Sequence, residues 1–126
     1  MPHAPGEAEI PPPVLQEDQL LQRVGGSREL LKEIARMFLE DAPRMLGAVR
    51  QAVGGRNASE LERSAHALKS AVSNFTMGPA TKAADALEQM GRAGDLADAE
   101  SVLTGLEQSL AAVQLELGSY ASLEAR

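Results

Sequence analysis

The sequence predicts an all-α fold: an up-down antiparallel four-helix bundle with a short additional N-terminal helix. Three observations point there. Ala and Leu dominate a hydrophobic content of 44%, while aromatics make up only 2%, so the core must be built from good helix formers. Apolar residues recur at steps of three and four along most of the chain. The breaks between these runs are short and carry Gly, Pro or capping residues, and short loops force consecutive helices to lie antiparallel.

The elements follow in order. Residues 1–13 hold five of the seven prolines and no apolar period, which reads as a flexible tail. Leu15 to Val24 form a short helix stopped by Gly25-Gly26. Ser27 then stands at an N-cap position with Glu29 in the first turn. The next helix carries Leu30, Leu31, Ile34, Met37, Phe38, Met45, Leu46, Val49 and Val53 on one face. Pro43 should kink it without ending it, since the period resumes beyond, and Gly54-Gly55-Arg56 closes it.

Asn57 and Glu60 make an N-x-x-E capping pair for a third long run through Leu61, Ala65, Leu68, Val72 and Phe75. Gly78-Pro79 breaks the chain and starts a helix with Pro at its first position. That helix is expected to bury Ala80, Ala83, Ala84, Leu87 and Met90. A turn at Gly91-Arg92-Ala93-Gly94 follows. Asp95 is the expected N-cap of a last helix through Leu96, Ala99, Leu103, Leu106, Leu110, Val113 and Leu117. The methionines at 37, 45, 77 and 90 fall mostly at core spacing. The resulting domain is 14–120, with 1–13 and 121–126 as tails.

Charge and composition exclude several functions. A net charge of −6 disfavours nucleic acid and anionic membrane as partners. No apolar run reaches a membrane span, and the N-terminus lacks a secretory pattern. With no cysteine and two histidines, a transition-metal site is not expected. The chain also lacks a phosphate-binding glycine loop and a nucleophile elbow. No cofactor is implied, and a cytoplasmic monomer is expected. The pairs Glu17-Asp18 and Glu40-Asp41 read as solvated faces, as do the separate cations Arg44, Arg63 and Lys82.

His66 stands apart. It lies one residue off the apolar stripe, turned by about 100° from Ala65, so it faces solvent. Its neighbours at helical spacing are Glu62, Arg63, Lys69, Ser70 and Ser73. A surface histidine without a role would look like this. So would an exposed nucleophile, with small side chains that let a partner approach and a cation to meet negative charge.

The stretch "HALKSAVSNF" resembles the H-x-L-K-[GS] signature of histidine-containing phosphotransfer (HPt) domains. "ELLKEIARMFLEDAPRML" is similar to that family's long kinked second helix, and "ALEQMGRAGDL" to its helix–turn–helix near the C-terminus. The resemblance covers roughly residues 15–117. It implies a phosphocarrier, not an enzyme, in a two-component phosphorelay. His66 would accept a phosphoryl group from a receiver-domain aspartyl phosphate and pass it to another receiver Asp. Lys69 would steady that group. Ser70, where the family most often has Gly, would let the receiver press against the ring, with Ser73 and Arg63 in the docking face. Thr76 stands where many members have Gly. Receiver domains and a hybrid histidine kinase are the implied partners, and the receiver would supply the metal ion. The initiating Met and full bundle suggest a free-standing protein. The alternative is a helical adaptor that binds a signalling partner without being phosphorylated.

Overall fold

The computed structural model describes residues 15–121. The expected Pro-rich tail and residues 122–126 lie outside them. Among the described residues five α-helices follow one another: α1 Glu17–Arg23, α2 Arg28–Gly54, α3 Ala58–Ser73, α4 Pro79–Ala93 and α5 Ala99–Ala121. Helix α2 packs on α3, α3 on α4, α4 on α5, and α5 back on α2, which closes a four-membered ring. The short α1 rests against α2. Leu61, Leu68, Leu87, Leu106, Leu110, Leu117, Val49, Val72 and Val113 are fully buried at the centre, as the apolar periods require.

Local chemistry explains the boundaries. Ser27 Oγ accepts from Leu30 N–H at 3.0 Å and starts α2. Asn57 Oδ1 accepts from Glu60 N–H at 3.1 Å and starts α3. The second half of the expected capping pair does not form, because Asn57 N–H bonds to Ala52 O and the Glu60 carboxylate turns to Arg63. Arg56, with φ +52°, takes the left-handed position in that loop. Helix α2 runs unbroken through Pro43, whose ring lies on the exposed side. Arg23, at the end of α1, donates to the carbonyls of Ser73 and Asn74 and so caps the last turn of α3.

Several expectations are corrected. Gly91, Arg92 and Ala93 are the last turn of α4, and only Gly94, with φ +73°, leaves the helix. Asp95 accepts from Ala97 N–H and caps a turn, so α5 begins at Ala99 and not at Asp95. At its other end α5 reaches Ala121, one residue into the expected tail. Leu30, Met37 and Met77 are exposed, not core, while Met45 and Met90 are half-buried. Conversely, α4 buries Thr81, Glu88 and Gly91, which the apolar pattern did not include.

Candidate functional site

Helix α3 presents His66 outward with 59% of its side chain exposed, as its place off the apolar stripe requires. Lys69 follows one turn later and is half-buried. Ser70 is exposed on the same side, and the Ser73 hydroxyl donates to Ser70 O at 3.0 Å. Arg63 lies one turn earlier and pairs with Glu60. The five residues singled out in the sequence thus lie along one side of one helix.

The partner of the imidazole comes from α4. His66 Nδ1 is 2.9 Å from Oε2 of Glu88, a carboxylate only 3% exposed. Glu88 falls four residues after Ala84 and eight after Ala80, on the buried stripe of α4. A carboxylate at core spacing was the sequence signal for it, but naming its partner requires knowing that α4 lies against α3. Lys69 Nζ lies 2.7 Å from Glu88 Oε1 as a close ion pair without hydrogen-bond alignment. It also donates to Asp85 Oδ1 at 3.0 Å. Arg92 Nη2 reaches Glu88 Oε2 at 3.0 Å, and its Nε reaches Glu62 Oε2 at 3.1 Å.

Gly91 lets the two helices come this close. A Cβ there would stand 2.5 Å from Glu62 N and 2.7 Å from Ala58 O. The seam therefore has no room for a side chain at this level, and α4 delivers Glu88 beneath the imidazole.

The charges settle which ring nitrogen is free. Lys69 holds the Glu88 carboxyl below its ordinary value, with His66 adding to the effect, although burial pushes the other way. Lys69 likewise lowers Asp85, and Glu88 and then Asp85 raise Lys69. An ionised carboxylate can only accept, so Nδ1 must carry the proton it shares with Glu88. In the neutral ring the lone pair then sits on Nε2, on the side away from Glu88. Ser59, Glu62, Arg63, Glu88 and Arg92 line an open groove beside the ring.

A second concavity, of about 430 Å³, opens on the other flank of α3, lined by Ile34, Met37, Phe38, Met45, Ala71 and Phe75 among others. The chain's two phenylalanines, Phe38 and Phe75, meet edge to face with centroids 5.4 Å apart at its base.

A four-helix bundle with an exposed histidine on one helix, hydrogen-bonded to a buried carboxylate of the next, defines the class of fold and site. A family model for the Hpt domain matches residues 33–116, well over half the chain, and the protein belongs to that family. Histidine phosphotransfer in two-component phosphorelays is its function, and Hpt domains act there as phosphocarriers that meet receiver domains and kinases. The fold is that of the crystal structure of histidine-containing phosphotransfer protein B (HptB) from Pseudomonas aeruginosa PAO1. The TM-score is 0.78 at 21% identity, over 86% of this chain and 95% of that one. No curated protein matches in sequence. Among the described residues, no helix is long and apolar enough to cross a membrane.

Proposed function

We propose that His66 Nε2 is the phosphoryl acceptor of this protein. The observation that carries the reading is the 2.9 Å contact from Nδ1 to a buried, ionised Glu88, which leaves the lone pair on the exposed nitrogen. Nε2 attacks the phosphorus of a receiver's aspartyl phosphate. The bond between phosphorus and the aspartyl oxygen breaks, and the electron pair leaves with the carboxylate. The new P–N bond makes the ring an imidazolium whose Nδ1 proton stays against Glu88. Transfer onward reverses these steps with another receiver, so the partners set the direction.

Lys69 supplies positive charge next to the incoming group. Ser70 is small and exposed, which leaves the rim of a receiver pocket room to close over the ring. Ser73 and Arg63 flank this approach. Residues 14–120 form the carrier domain in this reading, and receiver domains and a hybrid histidine kinase are its partners.

His66→Gln tests it. After incubation with a receiver carrying radiolabelled aspartyl phosphate, the native protein should hold label that is lost in acid and kept in alkali. The variant should hold none and keep its helical circular dichroism, since an exposed side chain contributes little to stability. Acid-stable label, or label on the variant, would sink the assignment.

A further inference from the structure

Glu88 is shared by three partners, and the sharing is uneven. Oε2 receives both His66 Nδ1–H and Arg92 Nη2–H, while Oε1 has only the Lys69 ammonium beside it. Two cations therefore neutralise one buried carboxylate, and they differ in geometry. Arg92 is a planar fork fixed at two points, to Glu88 through Nη2 and to Glu62 through Nε. Moving it would break both bonds. Its placement is also dictated by the backbone, because Gly91 lies against Glu62 N and brings residue 92 alongside Glu62. Lys69 is a point charge on a flexible stem, held by Glu88 Oε1 at 2.7 Å and Asp85 Oδ1 at 3.0 Å, and its ammonium can turn to a new acceptor without giving up a fixed fork.

A phosphoryl group on Nε2 brings a charge of about −1.5 to −2 to the seam. Among the described residues Lys69 is the cation one turn beyond the ring on the same helix, and it starts on Glu88 and Asp85. Without Arg92, departure of Lys69 would leave the buried carboxylate to the ring's Nδ1 proton alone, and stripping a buried carboxylate of its cations is costly. With Arg92 in place it is not stripped. We propose that Arg92, anchored by Glu62, is a positioning residue for phosphotransfer: it keeps Glu88 neutralised, so that Lys69 can leave that carboxylate for the phosphoryl group on His66.

The inference rests on His66 being the acceptor, and the experiment separates the two. Phosphotransfer from a receiver carrying radiolabelled aspartyl phosphate is timed for the native protein, Arg92→Met, Arg92→Lys, Lys69→Ala and the double variant Arg92→Met with Lys69→Ala. Losing one charged hydrogen bond predicts a slowing on the order of tenfold in Arg92→Met. Arg92→Lys should recover much of it. In the Lys69→Ala background, Arg92→Met should cost little more, because Arg92 acts through Lys69. The 15N signal of the Lys69 ammonium should move on phosphorylation of the native protein and stay in place in Arg92→Met. Phosphoramidate, a donor too small to need docking, should still label His66 in both. Equal transfer by native protein and Arg92→Met overturns the inference, as does a full Arg92→Met loss in the Lys69→Ala background. Absence of label on native His66 overturns the acceptor reading itself, and the inference with it. Thermal melting confirms that each variant is folded. If Arg92→Met does not fold, Arg92→Gln replaces it with the same expectations.

Discussion

The two flanks of α3 are built on opposite principles. On the α4 side the helices nearly touch at Gly91, and the space beyond is filled by charges that hold one another: Glu88, Lys69, Asp85, Arg92 and Glu62. On the α2 side the chain leaves a largely apolar concavity, with Arg23, Asp41 and Asn74 also in its lining, rimmed by the pliable, exposed Met37 and floored by two phenylalanines. The first flank fixes its side chains through paired charges and close backbone contact. The second offers area without fixed geometry, which suits a surface that must fit more than one partner. In the proposed function, chemistry belongs to the rigid flank and adaptable contact to the soft one, and the exposed ridge of His66 and Ser70 runs between them.

Crossing that ridge should have the largest effect. Ser70 lies one turn beyond His66 on the same face. In Ser70→Trp the indole would stand between the ring and the receiver. In-line transfer is sensitive to a misplacement of about 1 Å, and losses on the order of 10²-fold are expected. Thermal stability should hold, and phosphoramidate should still label His66. Wild-type transfer rates from a receiver would show that the ridge is not the approach route.

Opening the rigid flank comes next. Gly91→Ala must push α3 and α4 apart, because the new Cβ meets backbone atoms of Glu62 and Ala58. Overpacking of this kind costs roughly 1–3 kcal/mol, against a helix-propensity gain of about 1 kcal/mol. Gly105→Ala is the control. It sits inside α5 with nothing within 4 Å of its Cβ, so only the propensity gain applies. Chemical denaturation should move the two variants in opposite directions. Gly91→Ala should also slow transfer, since Glu88 is delivered through the same seam. A stabilised Gly91→Ala would mean that the seam has slack.

Acid tests the charges alone. Glu88 titrates below its ordinary value of 4.5, with Lys69 the main cause, and Asp85 below 3.8 for the same reason. A carboxyl lowered by folding stabilises the protein fully above its unfolded value. That stabilisation is lost as pH falls through the folded value. Native stability should therefore decline as pH drops below the ordinary carboxylate range. Glu88→Gln should show a shallower decline, with the share due to Asp85 remaining. Urea midpoints over roughly pH 3 to 6 measure this. Identical slopes would mean that Glu88 is not ionised in the folded protein, and the tautomer argument for Nε2 would fail.

How far the sequence could be read differs between the flanks. The helix order, the caps at Ser27 and Asn57, the start at Pro79 and the exposure of His66 all follow from periodicity and local chemistry. Glu88 did not, because a lone carboxylate on a stripe gains meaning only when a second helix supplies cations around it. The sequence pattern ends α4 one turn short, because Gly91 looks like a turn residue, whereas it is a contact residue inside a helix. Asp95 is a good cap by type, but it serves the turn before α5. On the soft flank, Leu30 and Met37 share helical spacing with the core of α2. Spacing alone does not show that the ring of four helices leaves that edge of the stripe uncovered.

The smallest expected effect belongs to that uncovered edge. Met37 is 53% exposed, so Met37→Ser removes little buried area, and stability should stay within about 0.5 kcal/mol. If the concavity contributes contact area to a receiver, the loss should appear as weaker binding with an unchanged rate once bound. Rim contacts of this kind are worth less than a central anchor, so a change of roughly two- to fivefold in the receiver concentration for half-maximal transfer is expected. A fall in the maximal rate, with no change in half-maximal concentration, would break the comparison, because it would mean that the soft flank also sets the geometry of transfer.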